Sequence, residues 1–337
     1  MPFIKNILQY KSVSIVGMAK NTGKTTCLNY VLNRLEKNNR KVALTSIGVD
    51  GEERDILYDT IKPRIRLKKG NYFITSEKHF AEKELDAKVI SVSHRTTALG
   101  KLITAEATND GNVILSGPSD TLWLQECIDS LLKLGTDITL VDGALSRMSL
   151  ASPAVTDAMI LCTGAACSAQ LHKIIDKTKF CCTLINLEQV NNNMQKQLFP
   201  VENDIWQWNK ASAEWQKIGN SVFTIENLVG CTDKIYVSGA VTNRFLRMLC
   251  LKKNGRVQLI VRDFTKLFIE PATFYKFVEL GGSIKVLKKT KLLAVCTNPV
   301  SPEGVRLNPE MLRGKMQEVL QMPVYDVMEI VNNERGN

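Results

Sequence analysis

The sequence predicts an α/β protein with a mostly parallel sheet that is flanked by helices. Short β-branched runs alternate with helix-compatible stretches over the first 165 residues, and most of the runs end at Gly, Ser or Thr. Such alternation is typical of parallel strands joined by helices. The strand candidates are residues 12–16, 41–47, 88–93, 112–116, 137–141 and 158–162.

Two amphipathic helices are predicted at residues 25–37 and 121–134, because apolar side chains recur there at helical spacing. These side chains are Leu28, Val31, Leu32 and Leu35 in the first helix, and Leu122, Leu124, Ile128, Leu131 and Leu132 in the second. In open α/β sheets, ligands bind beyond the carboxyl ends of the strands. We therefore expect the functional residues where these strands end.

The chain of 337 residues is long enough for two domains. Residues 1–186 carry the first α/β pattern, and residues 187–230 have no clean period, which indicates a connector or small lobe. Residues 231–337 form a second, C-terminal α/β region. The sequence leaves open whether that region is a separate domain or extends the first sheet.

Composition excludes several classes of protein. The net charge of +10 attracts anions of several kinds without distinguishing among them. The sequence lacks a basic aromatic motif of the RNA-binding kind, so nucleic acid is not expected as a partner. The nine cysteines include no CxxC pair, which favours reduced thiols in a cytoplasmic protein. No apolar run approaches about 18 residues, so neither a membrane span nor a signal peptide is expected.

The segment VSIVGMAKNTGKTTCLNYVL carries the strongest motif, a strand that enters a glycine-containing loop and then a helix. Backbone N–H groups of such a loop surround phosphates, and the helix presents its positive end to them. Lys24 is expected to contact the β- and γ-phosphates, and Thr25 to hold Mg²⁺. The order predicts a P-loop NTPase. Its phosphate-binding residues are Gly17, Asn21, Thr22, Gly23, Lys24, Thr25 and Thr26.

The front of this loop departs from the G-x-x-x-x-G-K-[ST] template. Met18 occupies the position of the first glycine, and Gly17 lies one place earlier. The sequence therefore supports nucleotide binding more strongly than rapid hydrolysis.

Two acidic residues are candidate partners of the loop. Asp142 ends an apolar strand, where a carboxylate can hold the hydration shell of Mg²⁺ beside Thr25. Asp50, with Glu52 behind it, follows the neighbouring strand and could act on the metal or on the attacking water as a catalytic residue beside Lys24. Both are also compatible with ordinary acidic turns.

The nucleotide is expected to be ATP. The guanine-reading N-K-x-D box is missing, and no GxGxxG fingerprint follows a strand, which disfavours GTP and NAD. Two later strand ends, at residues 237–243 and 297–299, could add to a base or partner site.

The segments GMAKNTGKTT, TSIGVDGE, LVDGALSR and TDAMILCTGAA resemble the KamB-type subunit of the reactivating factor of lysine 5,6-aminomutase, and KIYVSGAVT and TNPVSPEG extend the likeness. The resemblance implies that Lys24 and Thr25 bind ATP and Mg²⁺. It also implies two partners, a KamC-like second ATPase subunit and the aminomutase, an enzyme that uses adenosylcobalamin and pyridoxal phosphate. The family ejects damaged cobalamin so that intact cofactor can replace it.

Two other functions are compatible with the residues. One is an ATP-dependent ligase or kinase of the dethiobiotin synthetase type, acting on a small molecule. The other is a nucleotide-binding structural subunit without hydrolysis.

Overall fold

The computed structural model describes residues 2–48, 54–55, 60–61, 64–118, 120–144, 155–202, 204–220, 233–253 and 256–330. The chain divides into two compact units, the first formed by Met1–Lys179 with Thr290–Asn337 and the second by Phe180–Lys289. This division differs from the three predicted segments, because strand Lys291–Asn298 pairs with Ala158–Gly164 and so belongs to the first unit. Residues of the expected connector share a sheet with the early part of the expected C-terminal region.

The strands are numbered in chain order. The first unit begins with β1 (Ser12–Gly17), β2 (Val42–Ser46), β3 (Arg54–Asp55), β4 (Thr60–Ile61), β5 (Ile65–Leu67), β6 (Tyr72–Ser76), β7 (Ala87–Thr97), β8 (Gly100–Ala107), β9 (Gly111–Val113), β10 (Ile138–Ala144) and β11 (Ala158–Gly164). The second unit contains β12 (Glu188–Gln189), β13 (Ile205–Asn209), β14 (Glu214–Gly219), β15 (Lys234–Val237), β16 (Val241–Thr242), β17 (Gln258–Val261), β18 (Leu267–Phe268) and β19 (Ser283–Val286). Back in the first unit, the chain forms β20 (Lys291–Asn298) and β21 (Val324–Asp326).

The helices are numbered in the same way. They are α1 (Pro2–Ile7), α2 (Lys24–Lys37), α3 (Glu77–Ala81), α4 (Thr121–Lys133), α5 (Leu171–Ile185), α6 (Asn192–Leu198), α7 (Asn243–Lys253), α8 (Pro271–Glu279) and α9 (Pro309–Leu320). None of the helices in the described ranges is long and apolar enough to cross a membrane.

The first unit is built on a nine-stranded sheet with the order β21-β20-β11-β1-β10-β2-β6-β8-β7. The strands from β21 to β6 pair in parallel, whereas β8 and β7 are antiparallel. The mostly parallel α/β sheet that the sequence predicted is therefore confirmed.

The strands predicted at residues 88–93 and 112–116 lie outside the parallel part of the sheet. The first lies in β7, which forms a hairpin with β8 at the sheet edge, since only two residues separate the strands and a connection that short joins antiparallel neighbours. Of the second, only residues 112–113 lie in a strand, β9, which pairs with β5 in a separate two-stranded sheet, and residues 114–116 are outside it.

Helices cover both faces of the large sheet because apolar residues alternate along its strands. Val13 and Ile15 belong to one buried cluster with residues of α1 and α2. On β6, Phe73 joins that cluster, whereas Tyr72 and Ile74 pack with α4 in another. This alternation places successive side chains on opposite faces and buries the strands in the middle.

The second unit has its own sheet with the order β12-β19-β17-β15-β13-β14. The first four strands are parallel, and the tryptophan-containing hairpin of β13 and β14 adds two antiparallel strands. A buried cluster of Val190, Leu198, Tyr236, Ile260 and Leu287 forms part of its core. The described part of the expected connector therefore contributes strands to the sheet of this unit.

Candidate functional site

The candidate site lies at the carboxyl end of the large sheet, where the central strands stop. Ile15 of β1 pairs with Asp142 of β10, and Gly17 pairs with Cys162 of β11. Parallel neighbours end on the same side of a sheet, so the carboxyl ends of β1, β10, β11 and β20 lie at one edge of it. Chain segments far apart in sequence meet there.

Residues 18–23 form the loop between β1 and α2. Asn21 and Gly23 have left-handed backbones, with φ of 60° and 83°. The buried Thr22 donates its hydroxyl to the carbonyl of Ala19 at 3.0 Å, which closes the loop on itself. A Cβ at Gly17 would lie 2.7 Å from Thr22 Oγ1, so glycine at that position allows this tight closure.

Met18, the departure from the expected template, has a structural place of its own. Its backbone N–H donates to the carbonyl of Cys162 at 2.9 Å, which anchors the loop to β11. Its sulfur accepts a hydrogen bond from the hydroxyl of Thr178 on α5 at 3.5 Å. The Met18 side chain therefore packs against a helix, a role that the sequence motif did not indicate.

Helix α2 begins at Lys24 without a side-chain cap, because its N-cap residue is Gly23. By contrast, α4 and α9 begin after Asp120 and Asn308, whose side chains accept hydrogen bonds from backbone N–H groups of the first turn. An uncapped first turn presents N–H donors and the positive end of the helix dipole. This is the arrangement that binds an anion such as a phosphate.

The structure brings together the lysine and the aspartate that the sequence singled out, with Asp142 two residues before the end of β10. Lys24 Nζ lies 2.9 Å from Asp142 Oδ1, and the two side chains are 22% and 18% exposed. Within the described part of the chain, Asp142 Oδ1 is buried and accepts no well-aligned hydrogen bond. The pair is held by charge, and the carboxylate retains hydrogen-bonding capacity.

Thr25 and Thr26 follow Lys24 as the second and third residues of α2, and both are partly exposed. The residues of the expected phosphate loop, from Gly17 to Thr26, thus form one continuous strand end, turn and first helical turn.

The end of β2 fixes the backbone beside Asp142. Ile47 N–H donates to the Asp142 carbonyl at 2.9 Å, and the Ser46 hydroxyl donates to it at 3.2 Å. Gly117 lies against the same strand end, since a Cβ there would be only 1.7 Å from the Ser46 carbonyl oxygen. Asp50 and Glu52, expected just beyond this strand, lie outside the described residues.

Comparisons with protein-family models, curated proteins and solved structures found no match to this chain. Function is therefore inferred from the residues of the site.

Asn298, at the end of β20, lies in the strand end at residues 297–299 that the sequence indicated as a candidate base or partner site, but its contact with the phosphate loop was not predicted. Its side-chain N–H₂ donates to the backbone carbonyl of Asn21 at 3.0 Å. Gly164 at the end of β11 lies directly beside it, because a Cβ on Gly164 would be 2.0 Å from the Asn298 carbonyl oxygen. The only sequence signal was an apolar run that ends in Thr-Asn-Pro, and strand pairing was needed to place it here.

Three buried thiols lie on the elements that form the site. Cys27 is on the first turn of α2, Cys162 on β11 and Cys296 on β20, and the sulfurs of Cys27 and Cys296 are 3.6 Å apart. Hydrogen bonding among the three thiols, together with burial, holds the pKa of each well above its usual range. The thiols are therefore protonated at neutral pH and act as small apolar core groups.

Proposed function

We propose that the protein is a P-loop NTPase that binds ATP with Mg²⁺ at residues 17–26. The observation that supports this most directly is the Lys24–Asp142 ion pair at the uncapped start of α2. It combines a cation, helix N–H donors and an adjacent strand-end carboxylate, which are the groups that hold a metal-bound polyphosphate.

The residues present fit these ligands. The N–H groups of the loop and of the first turn of α2 would receive phosphate oxygens, and Lys24 would turn from Asp142 toward the β- and γ-phosphates. Because the Lys24–Asp142 pair is partly exposed, separating it costs little. Asp142, with its hydrogen-bonding capacity intact, would then hold the Mg²⁺ hydration shell together with the Thr25 hydroxyl.

Magnesium sites of this kind use few protein ligands, since phosphates and water supply the others. Among the residues that the structure describes, no cluster of three or more His, Cys, Asp or Glu side chains could hold a metal alone. A site shared with the nucleotide is therefore the arrangement proposed here. Asp50 stays our candidate for orienting the attacking water.

We further propose that ATP binding drives a conformational switch in a cytoplasmic reactivating factor. ATP hydrolysis supplies the free energy for such switches, in which loops ordered by the γ-phosphate relax afterwards. The partners would be a KamC-like subunit and lysine 5,6-aminomutase, whose damaged cobalamin is exchanged for intact cofactor. The support for these partners is the resemblance of the segments around Lys24, Asp50 and Asp142 to that family.

The test is to measure phosphate release by the purified protein under three conditions: alone, with small carboxylic-acid and amine metabolites, and with inactivated aminomutase plus the second subunit. We expect stimulation by the protein partners and none in Lys24→Ala. Stimulation by a small metabolite would instead establish the ligase or kinase function. Tight ATP binding with no stimulation would leave a structural nucleotide-binding subunit.

A further inference from the structure

We propose that Asn298 is a positioning residue that holds the phosphate-binding loop in its binding conformation, acting through Asn21. This inference rests on the proposed function of the loop. Asn298 comes from β20, in the segment that returns to the first unit after the second unit, and it is separated from Asn21 by 277 positions.

The orientation of the Asn298 amide is set by two hydrogen bonds. Its Oδ1 accepts from the backbone N–H of Val300 at 3.1 Å, so its Nδ2 is the group that faces the Asn21 carbonyl at 3.0 Å. An amide with its oxygen engaged in its own turn presents only donors to the loop. The contact is therefore directional, and an aspartate at this position could not make it.

The contact acts on a left-handed turn of the loop backbone. Asn21 has a φ of 60°, a conformation that asparagine adopts more readily than most non-glycine residues and that a hydrogen bond to its carbonyl helps to hold. Gly23, with a φ of 83°, also lies against Asn298, because a Cβ on Gly23 would be 3.3 Å from the Asn298 Cβ. Asn298 thus lies against both left-handed residues of the loop, Asn21 and Gly23.

The neighbouring strand is shaped to allow this approach. Gly164 pairs with Asn298 across β11 and β20, and any side chain at Gly164 would collide with the Asn298 backbone. Asn298 is partly exposed, so its amide lies at the surface of the site and not in the core. The Asn298 side chain therefore contributes to the loop through its hydrogen bond to Asn21 more than to the packing of the core.

The experiment compares the affinities of Asn298→Ala, Asn298→Asp and wild type for Mg-ATP and for inorganic tripolyphosphate. Loss of one aligned hydrogen bond predicts that Asn298→Ala binds both ligands about three- to tenfold more weakly. Asn298→Asp should bind more weakly still, because its carboxylate repels the Asn21 carbonyl and the phosphates. Asn308→Ala, which removes the side-chain cap of α9 in the same unit, is the control and should leave both affinities unchanged.

The two ligands separate the outcomes. Equal weakening of ATP and tripolyphosphate supports a positioning role in the phosphate loop, and faster hydrogen exchange at residues 18–23 in ligand-free Asn298→Ala supports it independently. Wild-type affinity for tripolyphosphate in Asn298→Ala would overturn the inference and leave the proposed function standing. Failure of wild type to bind either ligand would overturn the proposed function itself.

Discussion

Polar residues that follow strands of the second unit and Asp142 of β10 in the first unit differ in how their side chains are bonded. In the second unit, the Ser238 hydroxyl both donates to the Asp204 carbonyl and accepts from the Asp204 N–H, each at 2.9 Å. Asp263 accepts from the Thr265 N–H at 2.9 Å. In the first unit, the Asp142 backbone carbonyl accepts from the Ile47 N–H and the Ser46 hydroxyl. Its side-chain Oδ1 faces Lys24 beside an uncapped helix and accepts no well-aligned hydrogen bond among the described residues.

This difference is the basis on which we assign the ligand site to the first unit. A polar group that closes its own turn has little hydrogen-bonding capacity left for a ligand, whereas a carboxylate paired with a partly exposed lysine can exchange that partner. Similar α/β strand ends can therefore serve different purposes, and function has to be argued from the side chains at the site.

The largest expected effect comes from adding a methyl group at the end of a strand in each unit. Gly164→Ala should destabilise the first unit by about 3 kcal/mol, since overpacking against fixed backbone is severe, and its Cβ would lie 2.0 Å from the Asn298 carbonyl oxygen. Gly239→Ala, with nothing within 4 Å, should leave the stability of the second unit almost unchanged. Urea denaturation, followed by hydrogen exchange of peptides from each unit, measures the free energy of unfolding of each unit in both variants. An equal loss of stability in Gly164→Ala and Gly239→Ala would contradict this difference between the two positions.

The aspartates provide a second pair. Asp142→Asn should weaken Mg-ATP binding about thirtyfold, because a hydrogen bond to a charged group contributes about 2 kcal/mol. It should have little effect on ATP binding in the presence of EDTA, since Asp142 is proposed to act through Mg²⁺. Asp263→Asn should lower the stability of the second unit and leave ATP affinity unchanged. Calorimetric titration of both variants, with Mg²⁺ and with EDTA, measures these affinities. If Asp142→Asn weakens ATP binding by the same factor with and without Mg²⁺, Asp142 does not act through the metal.

The smallest effect concerns the thiols, of which the described part of the first unit contains four with a raised pKa and the second unit two. A thiol whose pKa is raised by folding contributes stability that is fully present below the unfolded pKa near 9.0 and is lost as the pH rises above it. For a thiol whose folded pKa lies well above that value, such as Cys162, the folded state should lose up to about 1.4 kcal/mol per pH unit above the unfolded pKa.

Cys162→Ala should reduce the alkaline slope of stability by the contribution of one thiol, whereas the partly exposed Cys167→Ala serves as its control. The measurement is the free energy of unfolding of the first unit at pH 7.5, 9 and 10. An unchanged slope in Cys162→Ala would show that this thiol does not contribute to the pH dependence.

Local sequence was sufficient for the elements that carry the motif. The predicted strand at 12–16 is β1, and the predicted helices at 25–37 and 121–134 are α2 and α4, because their apolar residues have the spacing of the faces they bury. The predicted strand at 137–141 corresponds to β10, which continues through Asp142 to Ala144. The sequence also named Asp142 as a candidate partner of the loop, and its Oδ1 lies 2.9 Å from Lys24 Nζ.

Non-local pairing could not be predicted in the same way. Nothing in the apolar run of β20 indicates that it joins β11 after an insertion of more than a hundred residues, yet this pairing delivers Asn298 to the loop. The hairpin of β13 and β14 was missed because its tryptophans pair across strands without a clean period. In the sequence, Met18 is a departure from the motif. Its packing against Thr178 could not be predicted from the motif, because Thr178 lies on α5, a helix outside it.

The most direct test of the central claim is calorimetric titration of Mg-ATP into wild type, Lys24→Ala and Lys37→Ala. Lys37 is an exposed lysine at the opposite end of α2, so it controls for the loss of one positive charge on the same helix. We predict that wild type and Lys37→Ala bind alike, and that Lys24→Ala, folded by circular dichroism, binds about a hundredfold more weakly because its charge-assisted phosphate contacts are gone. Equal affinity in wild type and Lys24→Ala would contradict the assignment of this loop to phosphate binding.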